Sequence, residues 1–299
     1  MPKTGLVLGG GGAVGLAWEA GLLAGLEDGG VRVGDADWIV GTSAGSFVGA
    51  MLASGLDPET LLARLAEAPS ADEISRQADA PTPERPAPPN PSLIAEIFQV
   101  WSQADVLDTD VRRQIAQLSV EAAGDRVNPM LGRLGRVLDA DTWPTRFEAT
   151  AVADDGSFAL FGATDEVSLD RAVAASCAVP GIFPPVEIGG RHYVDGGVRS
   201  GTSADVLIER APAQVLIVAP LSAPGSPTLG ALMDRCMRDE MRQLEAAGIA
   251  CVALAPDERD REAFGPNMMD PSRSEPARAA GRERGRQEAD SPILTAFRA

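Results

Sequence analysis

The chain of 299 residues contains one histidine, three cysteines and one tyrosine, and aromatic residues make up only 4% of it. With His192 as the lone imidazole, a histidine-rich metal centre has no ligands to draw on. Cys177, Cys236 and Cys251 are odd in number and none stands in a Cys-x-x-Cys arrangement, which argues against a disulfide framework and against a zinc site. Basic residues number 26 against 43 acidic ones, for a formal charge of −17. That balance argues against nucleic acid as a partner and against electrostatic docking on anionic lipid. No apolar run approaches the length of a membrane span. Met1 to Leu6 enter a strand at once, without the basic region and long apolar run of a signal peptide. The expectation is a protein of the reducing cytoplasm.

What the chain does have is glycine (32) and proline (23), with hydrophobic residues at 44% drawn mostly from Ala, Leu and Val. Its length suits one large α/β domain with an insertion. The organising stretch is Asp37 to Met51. Trp38 to Val40 reads as a buried strand, Gly41-Thr42-Ser43-Ala44-Gly45 breaks it, and Ser46 to Leu52 resumes as a helix former. Strand, sharp turn and helix in that order would hold Ser43 in a strained conformation with its hydroxyl lifted clear of the sheet. The small residues Gly41, Ala44 and Gly45 give the clearance, and the N-terminus of the following helix favours negative charge above the serine.

A second strand-turn-helix precedes it. Gly5 to Leu8 form an apolar strand, Gly9 to Gly12 a four-glycine turn, and Ala13 to Leu26 a helix that Gly29 and Gly30 end. Read as Gly10-Gly11-Gly12-Ala13-Val14-Gly15, the turn also fits Gly-x-Gly-x-x-Gly, with Asp35 and Asp37 at about the distance of a ribose contact. A nucleotide- or flavin-binding protein is therefore an alternative, but it leaves the serine turn on the next strand unexplained. If the two strands are parallel neighbours, unhindered glycine amides come to lie beside Ser43 instead.

Downstream, Asp57-Pro58 begins a helix to about Ala68, and the proline-rich residues 69 to 91 read as an extended connection. Ser92 is the expected cap of a helix with Leu93, Ile97, Val100 and Trp101 on one face; Asp108 opens another with Val111, Ile115 and Leu118. Residues 69–141 read as a mainly helical insertion over the carboxyl ends of the strands. Two strands, Arg146–Val152 and Ser157–Phe161, join through Asp154-Asp155-Gly156; a helix covers Ser168–Ser176. A second hairpin, Val186–Ile188 with Arg191–Val194, delivers Asp195-Gly196-Gly197 at its exit, and a helix starts near Thr202-Ser203-Ala204-Asp205. Gln214–Pro220 and Ile249–Leu254 read as strands flanking a long helix. The domain so delimited is 1–255, followed by a charged tail, 256–299, in which Arg278–Ala289 reads either as a surface helix or as loose chain.

Serine attacks an ester only when a base takes its proton. His192 lies three residues before Asp195 on one strand, so the two side chains point to opposite faces, and His192 reads as a partly exposed strand residue. Asp195, flanked by Gly196 and Gly197, can approach a neighbouring turn closely. Such a carboxylate could accept the Ser43 proton directly, the more so if burial raises its pKa.

Gly10-Gly11-Gly12-Ala13-Val14-Gly15, Gly41-Thr42-Ser43-Ala44-Gly45 and Asp195-Gly196-Gly197, in this order, resemble the three signature motifs of patatin-like phospholipases. The segment from Ala175-Ser176 through Pro180 to Phe183-Pro184-Pro185 resembles the one that family carries before its aspartate. The resemblance spans about residues 4 to 220. It implies a three-layer α/β/α fold around a mostly parallel sheet, a Ser43–Asp195 dyad, and an oxyanion hole from the amides of Gly10, Gly11 and Gly12. It also implies hydrolysis of lipid or phospholipid acyl esters without metal or cofactor, with transient contact to a lipid surface. One departure is Val14, where the family's glycine motif usually carries Arg or Lys; that weakens the inference to an anionic phospholipid. A lipid-binding module that keeps the fold without catalysis is the remaining alternative.

Overall fold

The computed structural model describes residues 2–57, 60, 90–134, 137–138, 142–223 and 229–298. The helix expected from Pro58 to Ala68 and the proline-rich stretch up to residue 89 lie outside them, apart from Thr60. At the start of that helix, the Asp57 carboxylate accepts the Thr60 N–H at 2.8 Å, as an N-cap does.

Eight strands form one sheet in the order β5-β6-β3-β2-β1-β7-β8, with β4 also paired to β3. They are β1 Thr4–Leu8, β2 Trp38–Gly41, β3 Phe147–Ala153, β4 Phe158–Phe161, β5 Val186–Ile188, β6 Arg191–Asp195, β7 Gln214–Val218 and β8 Ala250–Leu254. β1, β2, β3, β7 and β8 run parallel, and the two hairpins supply the antiparallel end. This is the mostly parallel α/β sheet with flanking helices that the resemblance implies.

Parallel strands are buried on both faces, and their side chains divide accordingly. Leu6, Leu8, Ile39 and Leu216 point to one face, against Trp18 and Leu22 of helix α1 (Gly12–Asp28) and Val48 of helix α2 (Ala44–Ala53). Val7, Val40, Val215 and Ile217 point to the other. There they meet Leu207 of a 3-10 turn, Ala204–Arg210, and Met237 and Leu244 of a long helix, Leu229–Ala246. The turn stands where the sequence predicts a helix.

Two helices, α3 (Pro91–Gln103) and α4 (Thr109–Ala123), cover the antiparallel end, burying Ile97, Trp101 and Ile115 against Val152 and Val194. Asp108 caps α4 as the sequence predicts, accepting the N–H groups of Asp110 and Val111 at 3.0 Å. The cap of α3 is Asn90 rather than Ser92: its Oδ1 accepts the Ser92 N–H at 3.0 Å, which leaves Pro91 at the first helical position, where no N–H is needed. A five-residue helix, α5 (Met130–Leu134), falls where glycine content obscures the pattern. The numbering then continues with α6 (Leu169–Ser176), α7 (the Leu229–Ala246 helix), α8 (Glu258–Phe264) and α9 (Ser274–Ala289).

The charged segment after Pro256 packs on the body. α9 lies along α1 with backbone against backbone: a Cβ placed on Gly21 or Gly25 would stand 2.2 or 2.1 Å from the carbonyls of Arg278 or Arg282. Phe264 of α8 meets the Trp18 ring edge-on at 5.8 Å.

Candidate active site

Ser43 sits where β2 gives way to α2, with φ 52° and ψ −121°, a region that costs a non-glycine residue on the order of 1–3 kcal/mol. Its hydroxyl does not cap the helix, as an N-terminal serine ordinarily would, so Oγ is left for other work. The turn is tight because Gly45 has no side chain: a Cβ there would stand 2.2 Å from the Leu8 carbonyl oxygen at the end of β1. The Gly45 N–H instead donates to the Gly9 carbonyl at 3.0 Å, fastening the serine turn to the glycine turn.

The sheet register carries Asp195 to the same place. Gly41 pairs with Ala149 of β3, and Asp195 pairs with Ala151, two residues further along the same strand. β4 pairs with both alanines, and a strand has only two edges, so Gly41 and Asp195 share the other one. The end of β2 and the end of β6 therefore face each other. A Cβ on Gly196 would stand 2.1 Å from Thr150 Oγ1, and Thr150 in turn shares a 2.7 Å hydrogen bond with the Thr42 hydroxyl.

A third segment, which the sequence marks only by its resemblance to the family's stretch before the aspartate, grips both residues. At the C-terminal end of α6, Ser176 Oγ accepts the Ser43 N–H at 2.9 Å, the Cys177 thiol donates to the Ser43 carbonyl at 3.2 Å, and the Ala178 carbonyl accepts the Asp195 N–H at 3.0 Å. Burial, helped by the charge of Asp195, pushes the Cys177 thiol up to about 12, so it stays a neutral donor.

Asp195 is 2% exposed. Burial raises its pKa from 3.8 to about 7, offset in part by the Ser43 hydroxyl and the Gly197 N–H. Oδ1 accepts that N–H at 2.7 Å. Oδ2 is buried without a hydrogen bond of good geometry, and the neighbour acting on this carboxyl is the Ser43 hydroxyl. A carboxyl with that pKa can exchange a proton with a hydroxyl near neutral pH. His192 is half exposed and stands 3.8 Å from Asp154, on the hairpin's outer side. The structure does not bring it to Ser43.

Of the three glycine amides, one is committed elsewhere. The Gly10 N–H donates to the Gly201 carbonyl at 2.8 Å, which corrects its assignment as an oxyanion donor. Gly201 belongs to a loop anchored by the buried Glu240, which accepts the Thr202 hydroxyl at 2.6 Å and the Ala204 N–H at 2.8 Å. The amides of Gly11 and Gly12 have no acceptor among the described residues and stand at the N-terminus of α1. Gly10 keeps a different role: a Cβ there would lie 3.4 Å from Ser43 Cβ, so its smallness opens the space beside the serine.

Gly10, Gly11, Gly12, Ser43 and Asp195 line one cleft of about 510 Å³. Phe98, Trp101, Val179, Ile182, Leu221 and Met233 give it apolar walls suited to an acyl chain. Phe264, Met268 and Met269 close it from the C-terminal segment, and the Met268 carbonyl accepts the Val14 N–H at 3.0 Å. The acids a dinucleotide site would want are occupied: Asp37 accepts the Thr4 N–H at 2.8 Å and Asp35 pairs with Arg32. Among the described residues no three His, Cys, Asp or Glu side chains converge as metal ligands would.

The family model for patatin-like phospholipase matches residues 6–208, more than half of the chain. The chain belongs to the patatin-like phospholipase family. Curated protein sequences give no match. Among solved structures, ExoU, a type III effector of Pseudomonas aeruginosa, is similar at 18% identity and TM-score 0.44, over 98% of this chain and 54% of that one. VipD from Legionella pneumophila is similar at 13% identity and TM-score 0.45, over 97% and 67%. Human GIVD cytosolic phospholipase A2, in a complex with a fluorophosphonate inhibitor, is similar at 13% identity and TM-score 0.43, over 99% and 59%. This patatin-like chain thus spans between 54% and 67% of the length of these proteins.

Proposed function

We propose that this patatin-like protein is a serine acyl hydrolase that cleaves lipid or phospholipid acyl esters through Ser43 and Asp195. The observation that carries the reading is Asp195, buried with a pKa near 7 beside a serine in a strained turn. Ser43 Oγ attacks the ester carbonyl as Asp195 takes its proton, and the amides of Gly11 and Gly12 receive the oxyanion. Collapse breaks the bond to the alcohol, which leaves with the proton held by Asp195. Water then attacks the acyl enzyme, giving its proton to Asp195, and the C–O bond to Ser43 breaks to release the acid as Asp195 returns that proton to Ser43 Oγ. No metal or cofactor enters any step.

Family membership supports the reaction class. The apolar cleft supports an acyl chain as its occupant, and the exposed Phe98 and Ile182 at its rim support transient contact with a lipid surface. Three free thiols fit the cytoplasm as the location. Among the described residues no helix is long and apolar enough to cross a membrane. Turnover of p-nitrophenyl butyrate by Ser43→Ala should fall at least a thousandfold in a protein that keeps its melting temperature within a few degrees. Retained turnover would remove Ser43 as the nucleophile. A wild-type protein that binds lipid without turning over any ester would be a binding module.

A further inference from the structure

Among the described residues the cleft has one basic side chain in its lining, Arg261 of α8. It comes from outside the span matched by the family model. Among the described residues many guanidinium groups are paired with carboxylates, as Arg199, Arg282 and Arg284 are, whereas Arg261 forms no ion pair, although Glu258 stands one turn before it. Among the described residues its one side-chain hydrogen bond runs from Nη1 to the Pro256 carbonyl at 2.6 Å. That bond tethers one nitrogen and leaves the rest of the donor fork unused.

The helix is two-sided. Arg261 and Phe264, one turn apart, face the cleft, whereas Asp257, Arg259, Asp260 and Glu262 line a separate depression against α9. Of the nearby acids, Asp257, Asp260 and Glu262 line that depression, and Glu258, exposed at the start of the helix, forms no ion pair with the guanidinium among the described residues. Asp195, the other ionisable residue lining the cleft, is buried with a pKa near 7.

We propose that Arg261 is a specificity-determining residue that receives an anionic group, phosphate or carboxylate, on the substrate beyond the ester. This rests on the acyl-hydrolase reading above. In a mainly apolar cleft of a chain carrying −17, a tethered, exposed guanidinium without an ion pair is the one cation among the described lining residues that such a group would meet, and its fork suits bidentate capture of oxyanions. The apolar walls then hold the acyl chain while Arg261 fixes the polar end, which sets which ester reaches Ser43.

The test compares kcat/KM for short-chain dihexanoyl phosphatidylglycerol with that for neutral dihexanoylglycerol, in wild type, Arg261→Gln and Arg261→Lys. Wild type should prefer the anionic ester. The anionic-to-neutral ratio should fall about tenfold or more in Arg261→Gln and by less in Arg261→Lys, which keeps the charge without the fork. A ratio that moves less than twofold in Arg261→Gln, or a wild-type preference for the neutral ester, would overturn the proposal. Calorimetric binding of hexyl phosphate separates the two readings: affinity lost about tenfold in Arg261→Gln, with no ester turned over by wild type, would sink the hydrolase and keep the anion site. Hydrolysis present with hexyl phosphate binding unchanged would do the reverse.

Discussion

At the scale of single residues, reactivity comes from a carboxyl that is 2% exposed at the edge of the cleft. Moving Asp195 from 3.8 to about 7 is on the order of 4 kcal/mol of differential stabilisation of its neutral form. Two consequences have opposite signs. The base works only when ionised, so kcat/KM for a neutral ester should rise with pH and level off above an apparent pKa near 7; a flat profile between pH 5 and 9 would remove Asp195 as the base. Stability runs the other way. The folded state holds the Asp195 proton up to about pH 7, while the unfolded chain loses it near 3.8, so the folded state binds more protons in between and stability declines as pH rises from about 4 to 7. Asp195→Asn removes that cost. It should therefore melt several degrees above wild type at pH 8, less so at pH 5, while losing ester turnover. An equal or lower melting temperature at pH 8 would mean that the buried carboxyl is not the burden described. The close backbone approach at Ser43 and Asp195 was legible in the sequence, because a serine between small residues and an aspartate before two glycines each imply it. The Gly10 amide was not, since its acceptor, Gly201, lies on a loop that no local pattern links to residue 10.

At the scale of elements, legibility followed hydrophobic period. β1, α1, β2 and α2 alternate apolar strand, glycine turn and helix, and the structure places each where that pattern predicts. The docking of α9 left no such trace, because the residues it buries are small: Ala277, Gly281, Gly285 and Ala289 recur every four positions along an otherwise charged helix. Their partners on α1 are Gly21 and Gly25, and contact is made by backbone, with Arg282 and Arg286 closing on Asp28. A reading that counts large apolar side chains passes over this stripe. It makes a sharp prediction. A Cβ on Gly281 would stand 2.3 Å from the Trp18 carbonyl oxygen, so Gly281→Val should force the helices apart and cost about 1–3 kcal/mol, read as a lowered melting temperature. Gln287→Ala, on the exposed face of the same helix, should stay within about 0.5 kcal/mol. Similar effects from the two would mean that the interface is looser than described.

At the scale of the whole molecule, the cleft is assembled from segments far apart in the chain. Residues 10–12, Ser43, Trp101, Asp195 and Met268 all line it, and none is near another in sequence except within the glycine turn. Neither Ser43 nor Asp195 has reactivity of its own: the unfolded chain offers an ordinary alcohol and an ordinary carboxylate. Reactivity should therefore be a property of the fold, and a fluorophosphonate, which bonds to activated serines, reads it directly. Mass spectrometry of the native protein after exposure to the reagent should find a single adduct, on Ser43, and protein unfolded in urea beforehand should carry none. An adduct on another residue, equal modification of the unfolded chain, or an unmodified native protein would contradict the account.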